Sequence, residues 1–438
     1  MSAVPTHGEL FPDTAKSTPF KVGLKATIDT CGGDLRLSFV IVQTVSPPRR
    51  TFHQGTLRIT TSVFDRHSSA PPHRQLRFRR QPPSAVVGGG AGGKRCGLSG
   101  LIGEYTPYTI LRDMANHDDK LKILITGAAG FLGSNLADYL LAKGQVVIGM
   151  DSFQTGSPQN LEHLRNHPDF TFVNQNIQLP LEDVGQIDQI YNLACPASPI
   201  QYQKDPISTL RTCFQGTQNV LDLAISKNAR VLHTSTSEVY GDPLVHPQPE
   251  TYWGNVNPFG MRSCYDEGKR VAEALCYAYR EQQGADIRIA RIFNTYGPRM
   301  NGSDGRVVSN FIVAALSGED LKITGDGTAT RSFQYVTDCM EGLYRLMNSD
   351  YSEGPVNIGN DGEFTIQQLA EKVAGLVAEM TNQPKVNITY HPRPADDPAV
   401  RRPQISLAKA VLNWCPTIPL QEGLRRTIEW HVSERVVS

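Results

Sequence analysis

The sequence predicts an α/β fold built on a doubly wound parallel sheet, and three observations support this prediction. Between residues 121 and 293, six short runs with strand-like composition alternate with helical stretches. A glycine-rich turn follows the first run directly, and an acidic residue ends the second. Beyond residue 295 the elements are shorter and alternate less regularly, which predicts a smaller α+β region at the C-terminal end.

Each element is predicted from its local pattern of apolar, turn and capping residues. The predicted strands cover residues 121–126, 145–151, 170–174, 188–194, 229–235 and 286–293. The predicted helices cover residues 206–226, 263–283, 307–318, 364–379, 407–412 and 420–432. One more helix follows the glycine-rich turn, and Gly144 is placed where glycine commonly ends a helix.

The glycine-rich turn has the spacing of a dinucleotide-binding motif, with Gly127, Gly130 and Gly133 between a strand and a helix. These glycines would permit a tight turn, close approach of the backbone to a pyrophosphate, and close packing of helix on sheet. The helix N-terminus would face the phosphates with free N–H groups. Asp151, at the end of the second strand, would bind the adenosine ribose and repel a 2′-phosphate. A Rossmann-type domain over residues 118–295 is therefore predicted, with NAD favoured over NADP.

A second pattern places a tyrosine and a lysine one helical turn apart, at Tyr265 and Lys269. The pKa of a free phenol is about 10, so Tyr265 needs nearby positive charge to act as a base at neutral pH. The Lys269 ammonium and the nicotinamide are expected to lower that pKa. Upstream, hydroxyl residues end a strand at the edge where open α/β sheets bind ligands, and Thr236 is predicted to bind the substrate oxygen. The pattern predicts deprotonation of a hydroxyl coupled to hydride transfer.

The motifs GAAGFLG, TSTSEVYG and YDEGK, in this order, resemble the extended short-chain dehydrogenase/reductase family. The longer stretches LACPASPIQYQKDPISTL, TRSFQYVTD and ADDPAVRRPQI resemble the UDP-glucuronate decarboxylases of that family. The resemblance covers about residues 120–434. It implies that NAD oxidises C4 of UDP-glucuronate, that the resulting β-keto acid loses carbon dioxide, and that the retained NADH reduces C4 to give UDP-xylose. It also implies a homodimer, and a substrate-binding region over residues 296–434.

The resemblance also implies a role for individual residues. Tyr265 would be the base, Lys269 its orienting partner, and Thr236 would hold the C4 oxygen. Glu238 would lie near C5 and the sugar carboxylate, and Arg331 near that carboxylate and the C5 protonation site. The expected substrate-binding residues are Ser237, Asn294, Arg306 and Arg331. The expected cofactor-binding residues are Gly127, Gly130, Phe131, Leu132, Gly133, Asp151, Ser152, Thr155, Gly156, Asn176, Ile177, Leu193, Arg211, Tyr265 and Lys269.

Related chemistries stay open at this point. A 4,6-dehydratase needs a general acid, which that family supplies as Asp-Glu after the threonine, whereas this chain has Ser237-Glu238. A 4-epimerase needs neither Glu238 nor Arg331 at the C6 end of the sugar. A carboxylated substrate is therefore favoured over these alternatives, and over a non-enzymatic NAD(H)-binding sensor or scaffold.

Several positions depart from the pattern of the family. Asn176 stands where the family has an Asp near the adenine, Arg211 where it has a Lys, and Cys213 where it has an Asn. Two additional residues extend the loop after Pro180-Leu181. None of these positions belongs to the predicted catalytic set, so an active enzyme is predicted.

Residues 1–113 differ in composition from the rest of the chain. Of 43 basic and 43 acidic residues in the whole chain, this segment holds 15 and 7, so the net charge of zero combines a basic segment with an acidic remainder. Its proline, glycine and arginine clusters predict a disordered tail. Met114 directly precedes the point where an ordinary domain would begin, and it is predicted as an alternative start of the protein.

Composition also narrows the partners and the compartment. A net charge of zero argues against a protein that binds nucleic acid by bulk electrostatics. The apolar stretch 35–45 is too short for a membrane span, and no secretory signal is predicted. The eight cysteines form no C-x-x-C pair and have no zinc-ligand spacing, so no metal site is predicted. Reduced thiols in a cytoplasmic enzyme are the expectation.

Overall fold

A computed structural model of the chain describes residues 120–303, 305–392 and 400–434, together with the backbone of 21–31, 34–44 and 435–437. In the N-terminal part, strands β1 (Lys21–Cys31) and β2 (Asp34–Thr44) form an antiparallel hairpin. No strand is predicted for these residues from the sequence. Apolar residues alternate along 35–41 and Gly32-Gly33 separates the two runs, which is a hairpin pattern. The other residues of the predicted tail lie outside the described residues.

The main sheet consists of seven parallel strands. They are β3 (Lys122–Thr126), β4 (Val146–Asp151), β5 (Phe170–Asn174), β6 (Gln189–Asn192), β7 (Arg230–Thr236), β8 (Ile287–Ile292) and β13 (Pro355–Ile358). Their spatial order is β13-β8-β7-β6-β3-β4-β5. Because β3 lies between β4 and β6, the direction of winding reverses there, and such a switch point opens a crevice at the carboxyl ends of the strands. The six predicted strands are confirmed to within two residues.

Both faces of the main sheet are covered. Successive side chains of a strand point to opposite faces, and along β3 they enter different apolar clusters. Ile123 and Ile125 belong to one cluster, whereas Leu124 belongs to the other. The α-helices in the described part of the chain are α1 (Phe131–Ala142), α2 (Pro199–Tyr202), α3 (Pro206–Arg211), α4 (Thr217–Lys227), α5 (Ser263–Gln283), α6 (Val307–Leu316), α7 (Val336–Met347), α8 (Ile366–Thr381), α9 (Ser406–Leu412) and α10 (Leu420–Val437).

Two helical features differ from the sequence prediction. The helix predicted over 206–226 is divided, because a turn of π-helix at Thr212–Gly216 separates α3 from α4. The helix α7 is absent from the prediction, although four of its buried residues have the spacing i, i+3, i+4 and i+7 that indicates an amphipathic helix. They are Val336, Cys339, Met340 and Leu343. Both α7 and β13 come from the C-terminal segment, so this segment also contributes to the main sheet.

Besides its helices, the C-terminal region contains three small sheets. In two of them, β9 (Thr295–Tyr296) pairs with β12 (Gln334–Tyr335), and β10 (Leu321–Thr324) pairs with β15 (Ile388–His391). In the third, β11 (Thr330–Ser332) lies between β14 (Glu363–Thr365) and β16 (Val400–Arg401).

The third small sheet matters for the site because its register places Arg331 beside Arg401. Two guanidinium-bearing residues that are distant in sequence are therefore neighbours on adjacent strands. In the described part of the chain, no helix combines the length and the apolar character that a membrane span requires.

Candidate active site

A cavity of about 1070 Å³ lies at the carboxyl ends of the main-sheet strands. Its wall includes residues that directly follow β3, β6 and β8, together with the last residues of β7. Most of the predicted site residues meet here: Gly127, Gly130, Phe131, Leu132, Gly133, Thr155, Leu193, Thr236, Ser237, Glu238, Tyr265, Lys269, Asn294, Arg306 and Arg331. The sheet edge that general topology assigns to ligands is therefore the edge at which this chain gathers its polar side chains.

The glycine turn forms a cradle that larger residues would fill. A Cβ atom on Gly133 would lie 2.0 Å from the carbonyl oxygen of Gly127, and Gly127 itself has a φ of +74°. Gly130 precedes the first turn of α1, which contains no acidic residue. The turn thus presents backbone and a helix N-terminus, which suits a diphosphate. These residues fit the pyrophosphate part of NAD.

Asp151 lies next to the glycine turn, although it does not line the cavity. Its carboxylate accepts hydrogen bonds from the backbone N–H groups of Ala129, at 2.9 Å, and of Phe153, at 2.7 Å. Burial raises the pKa of this carboxyl above its ordinary value, and the backbone hydrogen bonds oppose that effect. The position agrees with the ribose-binding role, which stays a prediction.

The other predicted cofactor residues outside the cavity wall are either exposed or make contacts with neighbouring parts of the chain. Ser152 and Arg211 are exposed, and Gly156 packs so closely that a Cβ atom would lie 2.9 Å from Ala129. The side-chain oxygen of Asn176 accepts a hydrogen bond from the backbone of Gln178, at 2.9 Å. Ile177 is buried against Gly216, where a Cβ atom would meet its side chain at 2.6 Å.

Tyr265 is buried and stacks on Tyr202, with ring centroids 5.0 Å apart and planes inclined by only 3°. The Lys269 ammonium donates a hydrogen bond to the carbonyl oxygen of Thr234, at 2.8 Å, and lies 5.9 Å from the centre of the Tyr265 ring. Burial raises the pKa of Tyr265 well above its ordinary value, although a hydrogen bond with Thr236 acts in the opposite direction. In the protein alone burial therefore outweighs the chain's own charges, and the lowering of this pKa by Lys269 and a bound nicotinamide stays a prediction.

Glu238 is held between two arginines. One carboxylate oxygen accepts a hydrogen bond from Arg262 and the other from Arg401. Burial alone would raise the pKa of Glu238, but the charges of Arg401 and Arg262 lower it to about 2, with a further contribution from Arg331. Glu238 is thus ionised at neutral pH and cannot donate a proton to a substrate.

Arg262 and Arg401 are functional candidates that the sequence prediction missed. Arg401 is 2% exposed, lines the cavity, and also donates to the carbonyl oxygen of Gly241 at 2.7 Å. Arg331, which the sequence predicts near the sugar carboxylate, donates a hydrogen bond to the carbonyl oxygen of Thr330 at 2.9 Å. It lies beside Arg401 in the small sheet. The stretch ADDPAVRRPQI contributes to the family resemblance, but the sequence does not indicate which of its two arginines reaches the cavity.

Asp266 shares Arg262 with Glu238, and the two carboxyl groups titrate in different ranges. The nearest distance between Asp266 and Arg262 is 3.7 Å, and one oxygen of Asp266 is buried without a hydrogen-bond partner among the described residues. Burial raises the pKa of Asp266 to about 7, with a contribution from the charge of Glu238. Around neutral pH one carboxyl is therefore fully charged and the other about half protonated, a split that their different surroundings cause.

The chain is similar to several known enzymes that act on nucleotide sugars. The family model of GDP-mannose 4,6-dehydratase matches residues 124–427. The chain is 54% identical over 316 residues to UDP-glucuronic acid decarboxylase 6 of Arabidopsis thaliana, covering 72% of this chain and 90% of that protein. It is 51% identical over 331 residues to UDP-glucuronic acid decarboxylase 1 of Danio rerio, covering 76% of each. Among solved structures, UDP-glucuronic acid 4-epimerase of Bacillus cereus in complex with UDP-glucuronic acid and NAD has 27% identity and a TM-score of 0.64, over 72% of this chain and all of that one.

The raised pKa of Asp266 makes its contribution to stability depend on pH. Between about pH 4 and 7 the unfolded chain loses this proton and the folded chain keeps it, so the free energy of unfolding falls as pH rises. In Asp266→Asn this loss is absent, because the amide does not titrate. We expect the variant to gain roughly 1–3 kcal/mol relative to the natural chain between pH 5 and 8.

Urea unfolding of both proteins at pH 5 and at pH 8 measures this difference. Glu267→Gln is the matched control, since it removes the next carboxylate in the same helix turn, which is more exposed. Parallel pH profiles for the natural chain and Asp266→Asn would contradict the assignment.

Proposed function

Since the chain belongs to the UDP-glucuronate decarboxylases of the extended short-chain dehydrogenase/reductase family, we propose that it converts UDP-glucuronate to UDP-xylose and carbon dioxide with a recycled NAD. The observation that carries this proposal is the pairing of Glu238 with Arg262 and Arg401 in the wall of the cavity. It supports a substrate that brings a carboxylate to a site rich in guanidinium groups.

The cofactor part of the proposal rests on the glycine cradle and on Asp151. Gly127, Gly130 and Gly133 leave room for a diphosphate, and Asp151 places a carboxylate beside the same turn. A bound NAD would supply reversible hydride exchange at C4 of the sugar, so the overall reaction would be redox-neutral. The NAD complex of the similar epimerase supports this choice of cofactor.

The residues at the end of β7 and on α5 move and orient the proton of the C4 hydroxyl. Tyr265 is the acceptor of that proton, and Thr236 forms a hydrogen bond with Tyr265 that places its hydroxyl beside the same oxygen. The hydrogen bond to the Thr234 carbonyl fixes Lys269, so its ammonium stays close to Tyr265. Because burial raises the pKa of Tyr265, the phenolate forms only while additional positive charge is bound next to it.

The arginines determine which sugar is preferred. The charges of Arg262, Arg331 and Arg401 all act on Glu238, so this part of the cavity wall is rich in guanidinium groups. Such a site attracts the C6 carboxylate of UDP-glucuronate and offers nothing comparable to an uncharged sugar. Glu238, with a pKa of about 2, is unsuited to the general-acid step that a 4,6-dehydratase requires.

A UDP-glucuronate 4-epimerase is the second candidate, because the similar enzyme of Bacillus cereus was solved with the same sugar nucleotide. In an epimerase the 4-keto sugar rotates and is reduced on its other face, whereas in a decarboxylase it first loses its carboxylate. The higher identity to the decarboxylases favours the first reading.

We also propose that the protein forms a homodimer. Several large apolar side chains on α3, the π-turn and α5 are at least a third exposed: Ile207, Leu210, Phe214 and Val271. An apolar surface on neighbouring helices favours association with a second copy of the chain.

The product made from UDP-glucuronate tests the proposal directly. Incubation with UDP-glucuronate and a small amount of NAD is expected to release carbon dioxide and to leave UDP-xylose, because the 4-ketone accepts the electrons of the breaking bond between C5 and the carboxylate. Chromatography with authentic standards identifies the nucleotide sugar. UDP-galacturonate without carbon dioxide would instead establish the epimerase, and a reaction that consumes NAD in proportion to product would contradict the recycling.

The role of Arg401 is tested by its charge. In Arg401→Gln we expect the affinity for UDP-glucuronate to fall about ten- to a hundred-fold, the loss expected for a charge-assisted hydrogen bond. Affinity for UDP-glucose, which lacks the carboxylate, should change much less. Calorimetric titration with both ligands measures the two constants.

The neighbouring Arg402 provides the matched control, since its side chain is 36% exposed and one of its guanidinium nitrogens lies 3.6 Å from Glu363. Arg402→Gln should bind both ligands as the natural chain does. An equal loss for UDP-glucose and UDP-glucuronate in Arg401→Gln would show that Arg401 supports the fold of the site and does not read the carboxylate.

Asp151 is predicted to set the choice between NAD and NADP. In Asp151→Ser we expect NAD to bind about ten-fold or more weakly, because a hydrogen bond to a charged group is lost, while NADP gains from the removal of a repelling charge. Titration with both nucleotides gives the ratio of the two dissociation constants. A variant that loses affinity for both in equal measure would show that Asp151 only supports the loop through Ala129 and Phe153.

A further inference from the structure

Two cysteine thiols touch each other beside the cavity. The sulfur atoms of Cys195 and Cys213 lie 3.5 Å apart. Cys195 follows β6 and lines the cavity, whereas Cys213 lies in the π-turn between α3 and α4 and is 2% exposed.

We propose that Cys195 and Cys213 are a redox modification site, at which a peroxide converts the two thiols into a reversible disulfide that lowers turnover. The Cys195 thiolate attacks one oxygen of hydrogen peroxide, the O–O bond breaks, and the departing hydroxide takes up the proton that the thiol had released, so a sulfenic acid and one water result. The Cys213 thiol then attacks the sulfenic sulfur, the S–O bond breaks, and the disulfide and a second water result. Two thiols lose two electrons and one hydrogen peroxide gains them, and a dithiol reductant reverses the change.

Cys195 is the thiol placed to react first. It borders the cavity, so a small oxidant reaches it without any opening of the fold. The hydrogen bond with Cys213 and the charge of Lys269 lower the pKa of Cys195, although burial acts against them. The same hydrogen bond and burial raise the pKa of Cys213, which fits the second, attacking thiol that stays protonated until it is needed.

Closing the disulfide requires a small movement at a sensitive place. The S–S bond is about 2.05 Å long, so the two sulfur atoms must approach by roughly 1.5 Å. Cys213 packs directly on α5, because a Cβ atom on Gly268 would lie only 3.0 Å from its sulfur. Gly268 stands next to Lys269 in the sequence, and Cys195 packs against the cluster that contains Tyr265. A displacement of either cysteine therefore changes the packing of the helix that carries the tyrosine and the lysine.

Tryptic peptides of the full chain show directly whether the disulfide forms. Lys204 and Arg211 lie between the two cysteines, so Cys195 is the one cysteine of peptide 166–204 and Cys213 the one cysteine of peptide 212–227. After treatment with hydrogen peroxide and blocking of free thiols, mass spectrometry should find these two peptides joined with the loss of two hydrogens, and separate again after reduction with dithiothreitol. Oxidation of Cys195 without a link to peptide 212–227, or links that involve only other cysteines, would overturn the proposal.

Turnover provides the second measurement. The natural chain should lose several-fold in turnover with UDP-glucuronate as the joined peptide appears, and should recover it with dithiothreitol. Cys213→Ser should keep its basal turnover and resist the same dose of peroxide. Cys415→Ser, which removes an exposed thiol elsewhere, is the matched control and should remain sensitive. If turnover of Cys213→Ser falls with peroxide as it does in the natural chain, the proposed consequence is wrong.

The two measurements separate this inference from the proposed function. The activity measurement rests on that function, but the peptide map does not, so a joined peptide in a protein without decarboxylase activity would reject only the function. If Cys213→Ser proves unstable in thermal unfolding, Cys213→Ala takes its place, and the peptide map of the natural chain still decides whether the bond forms.

Discussion

The buried ion pairs of Glu238 hold the candidate site together. Glu238 follows the end of β7, Arg262 directly precedes α5, and Arg401 ends strand β16. The ion pairs therefore join these three elements. Removing one partner of a buried pair leaves an uncompensated charge, which typically costs about 3–5 kcal/mol. The C-terminal region is therefore coupled to the main sheet through the same side chains that give the cavity its charge, and the site exists only when three distant segments meet.

The same ion pairs explain the unequal titration of the carboxyl groups. Arg262 is shared between Glu238 and Asp266, but the close hydrogen bonds go to Glu238. Asp266 thus experiences burial and a neighbouring negative charge with little compensation, and its pKa rises to about 7. A neutral Asp266 in turn leaves the arginines more strongly positive towards a bound carboxylate.

What the sequence could predict is whatever depends on neighbours along the chain. The spacing of Gly127, Gly130 and Gly133, and the helical spacing of Tyr265 and Lys269, are local patterns, and the cavity contains all five. The pairing of β11 with β16 is a long-range register, so the arrival of Arg401 at Glu238 had no local signal.

Burial is the second quantity that the sequence did not supply. The lysine one turn from Tyr265 predicts a lowered pKa for the phenol, but in the protein alone the burial of the ring raises that pKa. The contact of Cys195 with Cys213 depends in the same way on the π-turn, which interrupts a stretch that reads as one continuous helix. In each case the chemistry of the residue was visible and its surroundings were not.

The arginine-rich site also links recognition of the substrate to release of the product. The proposed reaction removes the one carboxylate that Arg262, Arg331 and Arg401 attract, so the product loses hydrogen bonds worth about 1.5–3 kcal/mol each when one partner is charged. The uncharged pentose is then held by its nucleotide and hydroxyl groups alone. A site that favours the acid over neutral sugars in this way also weakens its hold on the product at the step that forms it, because both effects come from the same guanidinium groups.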